Sequence, residues 1–322
     1  MKLFIESKRA FLACAFAVFL ISSSVRAPAP AQTALTPVIV GPLNSGSAAA
    51  LYYGVQQGLF AKAGLDVKIQ PMQGGAAAVA AAVGGAINIG YGNTLTVLQA
   101  RAKQIPVSLL APGSLYQSSA PVAQLLVPHD SILKAPQDFI GKTIGVASLN
   151  DLTVLAIDAW LEHGNVDPAK VNFVEVPPAG AIGALNTNRV ASITLYDPFL
   201  GAAIAQGAKV IATPYDFIAP NFLISAWFVS NQWAADHRDA ALTFARVIEG
   251  ATPYVSAHYD ELLPMISKYT GVSVENLAKV PKSFVPTSLR AAMLQPVINS
   301  AVHFKAIATQ FKAQDLIWPG SP

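Results

Sequence analysis

The sequence predicts an α/β fold built as two lobes of one plan, each a mostly parallel sheet with helices on both faces. Three observations predict it. Short apolar or alternating strands are followed by turns and helices along most of the chain, the grammar of covered parallel sheets. The same succession of strand, polar turn and helix runs through two halves whose letters do not otherwise match. At 322 residues the chain exceeds one typical domain. Its 53% hydrophobic and 12% charged residues, with mean hydropathy +0.44, exclude a disordered, collagenous or coiled-coil chain.

A leader precedes the first strand. Lys2, Lys8 and Arg9 form a basic start, residues 10–21 (AFLACAFAVFLI) an apolar run, and Ser22, Ser23 and Ser24 a polar end. Twelve apolar residues make about 18 Å of helix, short of the roughly 30 Å core of a bilayer. Residues 1–31 are therefore expected to be a cleaved secretory signal, with Gln32 first in the mature chain, because Pro28 blocks the earlier cut after Ala27. The only cysteine, Cys14, leaves with it, which excludes a disulfide framework, a Cys-ligated zinc and a thiol pair. Four basic residues and one acidic residue leave too, so 21 and 18 become 17 of each. A neutral mature chain with no basic stripe does not fit nucleic acid.

The elements then follow in order. Residues 37–40 (PVIV) read as a buried strand and 41–47 (GPLNSGS) as a polar turn. Leu51, Val55 and Leu59 share a helix face, and Gly64 stands where a terminating glycine belongs. Leu65, Val67 and Ile69 alternate with polar residues as a strand. Gln73, Gly74 and Gly75 open an Ala-rich helix, 87–89 is a strand, 90–94 (GYGNT) a turn into a helix, and 106–110 a strand. The second half repeats this: strand 142–147, turn 148–153, a helix to His163 stopped at Gly164, strand 171–176, turn 177–180, and a short helix 181–185. Strand 190–195, a turn at Tyr196, Asp197 and Pro198, helix 199–206 and strand 209–212 complete it. From Trp233 to Trp318 the pattern is helical, best over 238–248 and 289–311, and this tail is expected to pack back on the first lobe.

In such sheets ligands sit beyond the carboxyl ends of the strands. That rule selects Asn44, Ser45, Ser47, Gln73, Gly74, Asn93 and Thr94 in one half, and Ser148, Asn150, Asp151, Thr153, Tyr196 and Asp197 in the other. Several stand at helix N-termini, where free N–H groups and the helix dipole favour an anion, although Ser, Thr, Asn and Asp also serve there as plain caps. Arg189 is the one arginine near these turns, so no bidentate anion clamp is evident. Tyr91, Tyr116 and Tyr215 fit core packing better than a planar-ligand pocket. The five histidines are scattered without ligand spacing, and no Gly-x-Ser-x-Gly elbow exists, so neither a metal, a cofactor nor a catalytic residue is expected.

Residues 50–66 (ALYYGVQQGLFAKAGLD) resemble the opening signature of the nitrate/sulfonate/taurine and thiamine-precursor (NMT1-like) solute-binding proteins of ABC importers. Gly74-Gly75, 85–90 (GAINIG), 138–146 (DFIGKTIGV), 197–199 (DPF) and 269–271 (YTG) continue the likeness. Asn88 and Ala191 stand where the family's pattern carries Asp. Losing both carboxylates bears on the ligand more than on the fold. The resemblance implies a type II periplasmic-binding-protein fold with a two-segment hinge. Lobe 1 would hold 32–120 and 222–322 and lobe 2 121–221, with Ser118 at the first crossover lining the cleft. It further implies a periplasmic monomer that captures a small organic anion and docks on a membrane permease. A pyrimidine or thiamine-precursor receptor, a pyrimidine synthase-like enzyme and a ligand-reporting sensor subunit are the alternatives.

Overall fold

The computed structural model describes residues 34–43, 45–196, 199–279 and 282–321; the expected leader lies outside them. The first lobe begins with β1 (Thr36–Gly41), α1 (Ala49–Gln56), α2 (Leu59–Lys62), β2 (Leu65–Ile69) and α3 (Gly75–Val83). It continues with β3 (Ile89–Asn93), α4 (Thr94–Ala102) and β4 (Val107–Pro112). The single helix expected from Leu51 to Leu59 is two, because Gly58 adopts the left-handed φ of 65° and breaks the run. A short strand, β5 (Leu115–Gln117), leads into the second lobe: β6 (Ala123–Val127), β7 (Thr143–Val146), α5 (Leu152–His163), β8 (Asn172–Glu175), α6 (Pro178–Asn186), β9 (Ser192–Tyr196), α7 (Phe199–Ala205) and β10 (Lys209–Ala212). The chain returns through β11 (Asn221–Leu223) and β12 (Ser225–Ser230). It ends in α8 (Asn231–Asp236), α9 (Arg238–Ala257), α10 (Leu263–Thr270), α11 (Val274–Ala278) and α12 (Ala291–His303).

The two sheets share one plan. The first is ordered β2-β1-β3-β12-β4 and the second, read from its other edge, β8-β7-β9-β6-β10. Each has one antiparallel strand, β12 or β6, and each of these is the first strand after the chain crosses from the other lobe. Reading the sequence missed both, along with the two crossing strands. Those crossing strands, β5 and β11, pair with each other antiparallel as the hinge, Tyr116 opposite Phe222. Tyr116, Tyr215 and Phe222 pack ring to ring there, 5.1–5.6 Å between centroids. Tyr91 is likewise core, 4.6 Å from Trp227. The GYGN stretch read as a turn is therefore strand: Gly90 bears no side chain because the Phe228 ring lies on it, and a Cβ there would come within 2.6 Å of two of its atoms.

The tail packs on both faces of the first sheet. Leu294, Val297 and Ile298 of α12 join Leu98 and Val107 on one face, and Phe244 and Ile248 of α9 join Tyr52 and Trp227 on the other. The helix expected over 289–311 ends at His303. In the second lobe α5 serves two cores, Leu152 and Leu155 toward the hinge and Ile157, Trp160 and Leu161 toward the sheet.

Two helix carboxyls strain this packing. Burial pushes Asp158 of α5 and Glu249 of α9 up to about 7, and Glu249 Oε1 is buried without a hydrogen-bond partner. Because both folded values are raised, the folded chain holds protons that the unfolded chain has released. Stability should therefore fall as pH rises from about 4 through about 7. Thermal denaturation from pH 5 to 8 should show this slope, flattened in Asp158→Asn and Glu249→Gln; an unchanged slope in both variants would refute the assignment.

Candidate functional site

The carboxyl ends of β1, β2 and β3 face those of β7, β8 and β9, and the polar turns gather there. Asn93 is the link between them. It ends β3 and caps α4, its Oδ1 accepting the Leu95 N–H at 2.8 Å. Its Nδ2 reaches across to the second lobe and donates to Asp151 Oδ1 at 2.8 Å. Asp151 in turn stands at the N-terminus of α5 without a side-chain capping bond, and the nearby N–H groups of Leu152 and Thr153 and the Thr153 hydroxyl favour its charged form. Burial pushes its carboxyl above the ordinary range, against the pull of these groups and of Asn93. Its charge also helps to raise the hydroxyls of Tyr196 and Tyr215, after burial as the larger cause, so these groups form one cluster. Tyr196 is 41% exposed at the end of β9 and is the accessible aromatic of the set.

The other expected residues divide by what their side chains already do. Ser45 accepts the Ser47 N–H at 3.2 Å, and the two hydroxyls lie 2.7 Å apart. Ser47 also bonds the Tyr91 hydroxyl, which continues to Ser225 and Ser114. Gln73 is exposed, and Gly74 begins α3 with no side chain to cap it, leaving first-turn N–H groups open. Ser148 accepts the Asn150 N–H at 3.4 Å, and Asn150 is exposed. Thr94 is fully buried and donates to Leu223 and Ile224 carbonyls, so its hydroxyl holds the hinge instead of facing the cleft. Ser118 is tied to Pro220 and Asp216 of the returning segment. Thr153 is buried beneath Asp151. Asn44 and Asp197 lie outside the described residues.

The electrostatics run against a simple anion trap. Of the described turn residues only Asp151 carries charge. The lobe-2 wall adds Glu175, at the carboxyl end of β8, whose Oε1 takes the Leu149 N–H at 2.9 Å and shapes the turn before α5. Reading the sequence missed Glu175 because it looked at turns and not at the last strand residue. Asp216 at the hinge was also missed: burial raises it, but bonds from Ser118, Thr213 and Tyr116 hold it below the ordinary carboxylate range. Lys134, Lys142, Lys170, Arg189 and Lys209 all stand in or beside segments that enter parallel strands, at the end away from the cleft. Arg189 is thus no neighbour of the site. The two missing family carboxylates are at that far end too. Asn88 directly precedes β3, its Oδ1 accepting the Ile39 N–H at 2.7 Å, and Ala191 directly precedes β9. They concern strand joining, not the ligand. Among the described residues no three His, Cys, Asp or Glu side chains group as a metal would need.

Known proteins share this architecture. Residues 45–262 match the family model described as NMT1/THI5 like. A taurine-binding periplasmic protein of Escherichia coli (strain K12) is 26% identical over 256 residues, 76% of this chain and 77% of that one. The periplasmic aliphatic sulphonate binding protein SsuA of Escherichia coli superposes with a TM-score of 0.72 at 14% identity, over 88% of this chain and 92% of that one. The desulfurization enzyme DSZB superposes with a TM-score of 0.65 at 15% identity, over 88% and 96%, so this fold also houses catalysis.

Proposed function

We propose that this chain, which belongs to the NMT1/THI5-like family, is the periplasmic solute-binding subunit of an ABC importer and takes a small organic anion that also carries an amino group. Its relatives in sequence are binding proteins. The observation that carries the ligand reading is Asp151, a buried carboxylate bonded across the cleft to Asn93, with Glu175 on the same wall and no cation among the described turn residues. A buried carboxylate is stabilised by a positive or donor-rich partner. The acid end of the ligand would lie against the open N–H groups at the start of α3, where a helix terminus favours an anion. An aminosulfonate such as taurine meets both demands, and nitrate meets only one.

In this reading the lobes are residues 32–120 with 222–322, and 121–221. They close on the ligand as a monomer after removal of residues 1–31, and the closed form docks on the permease. Closure follows only from contacts better made in the closed state. No turnover is expected: the chain's one cysteine is Cys14, and the cleft has no activated nucleophile among its described residues.

The test is calorimetric titration of taurine, ethanesulfonate and nitrate into the chain from Gln32 onward, with the taurine recovered unchanged. Taurine should bind more tightly than ethanesulfonate by about 10- to 100-fold, the worth of a hydrogen bond to a charged group. Asp151→Asn should erase most of that difference. Equal affinity for the two sulfonates, or binding of nitrate alone, would overturn the amino-group reading.

A further inference from the structure

A second cavity lies in the wall of the first lobe, beside the candidate site and sharing Ser47 with it. It measures about 230 Å³. Its floor is small and apolar: Ala49 and Ala50 at the start of α1, and Val255 near the end of α9, all more than nine-tenths buried. Phe284, half-exposed, and Gln117 at the end of hinge strand β5 form its rim. The space depends on Gly46, since a Cβ there would meet the Tyr259 hydroxyl at 2.3 Å and displace the ring that roofs the cavity. Phe284 is held in place by the backbone: the Leu115 N–H donates to its carbonyl at 2.8 Å, fastening the segment to the hinge. That segment lies beyond residues 45–262, so this wall belongs to the chain's own tail and not to the matched family segment.

The geometry points to a tail subsite: the cavity takes an aromatic or branched apolar substituent of the ligand, whose acid and amino groups stay in the cleft. This rests on the organic-anion reading above. A smaller cavity, about 150 Å³ lined by aliphatic side chains, takes benzene, so one ring with a short linker fits this volume. Taurine or nitrate would leave the floor of Ala49, Ala50 and Val255 uncovered. The polar rim suits an entry beside Ser47, since the Gln117 amide, the Tyr259 hydroxyl and Ser47 give the linker hydrogen-bonding groups, while the one polar group deeper in the lining, the buried Thr252 hydroxyl, is spent on the Ile248 carbonyl. Lys282 at the mouth is already paired with Asp260 at 2.7 Å, so the cavity receives the uncharged end of the ligand.

The experiment compares taurine with N-benzyltaurine, which keeps both head groups and adds one ring, by calorimetry and by alanine-methyl NMR. N-benzyltaurine should bind about tenfold or more tightly than taurine, as burial of a ring predicts. It should also shift the Ala49 and Ala50 methyl signals where taurine does not. In Ala50→Leu and, separately, Val255→Phe, each of which fills the floor, the affinity ratio should fall toward one. A ratio near one in the unmodified chain, or a ratio that survives both substitutions in folded protein, overturns the subsite. If neither sulfonate binds, the organic-anion reading falls by itself, and benzyl alcohol then decides the cavity. Shifts confined to those methyls would sustain it, and their absence would end it.

Discussion

Replacing Asn93 with aspartate should hold the two lobes apart and cost about 100-fold or more in ligand affinity, because like charges set face to face cost several kcal/mol. The substitution is nearly isosteric. An aspartate can still accept the Leu95 N–H and cap α4, so the helix survives. What changes is the bond across the cleft: a donor 2.8 Å from Asp151 becomes a second carboxylate. Small-angle scattering should show a larger radius of gyration than in the unmodified chain. The difference should shrink on acidification, since two facing carboxylates can share one proton and Asp151 is already raised by burial. Asn93→Ala is the control. It loses the cap, about 1 kcal/mol, and the bridge, but brings no repulsion. An unchanged radius and undiminished affinity in Asn93→Asp would remove the bridge from any account of closure.

The second large effect concerns stability. Phe228→Ala should destabilise the chain by about 3–5 kcal/mol, the usual range for emptying a buried aromatic site. Phe228 is fully buried in β12, between β3 and β4, and its ring covers Gly90 and Gly92 of β3. Those glycines cannot close the gap, because they have no side chains to shift into it. The strand left loose is the one that ends in Asn93, so the loss should also weaken ligand binding. Denaturant unfolding measures it, and a cost below about 1 kcal/mol would mean that the neighbours collapse into the space. Gly90→Val should fail in the opposite way, by overpacking against the same ring.

Much of the scaffold was legible from local pattern. The helix running to His163, its stop at Gly164 and the alternating strand over 65–69 followed from spacing and end signals that act within one turn or one pleat. The rule that ligands sit past strand carboxyl ends brought Asn93 and Asp151, 58 residues apart, onto one short list. The list could not rank its members. Thr94 looked as available as Asn93, yet adjacent side chains on a turn point to different sides, and the hinge carbonyls claimed its hydroxyl. Glu175 and Asp216 became visible only through the groups they bond.

By itself the sequence determined the class of fold and the two-lobed repeat, because periodicity states which face of an element avoids water. The tertiary structure decided the pairing. β6 and β12 are buried on both faces apart from half-buried Gln124, so periodicity says nothing about their direction, and each is antiparallel only because the chain enters its sheet from the other lobe. It also decided the charge of the cleft: the same topology turns the lysines and Arg189 of the second lobe to its far end and leaves Asp151 facing Asn93. Local pattern sets which residues are buried, whereas contacts between distant segments set what a buried group can bond.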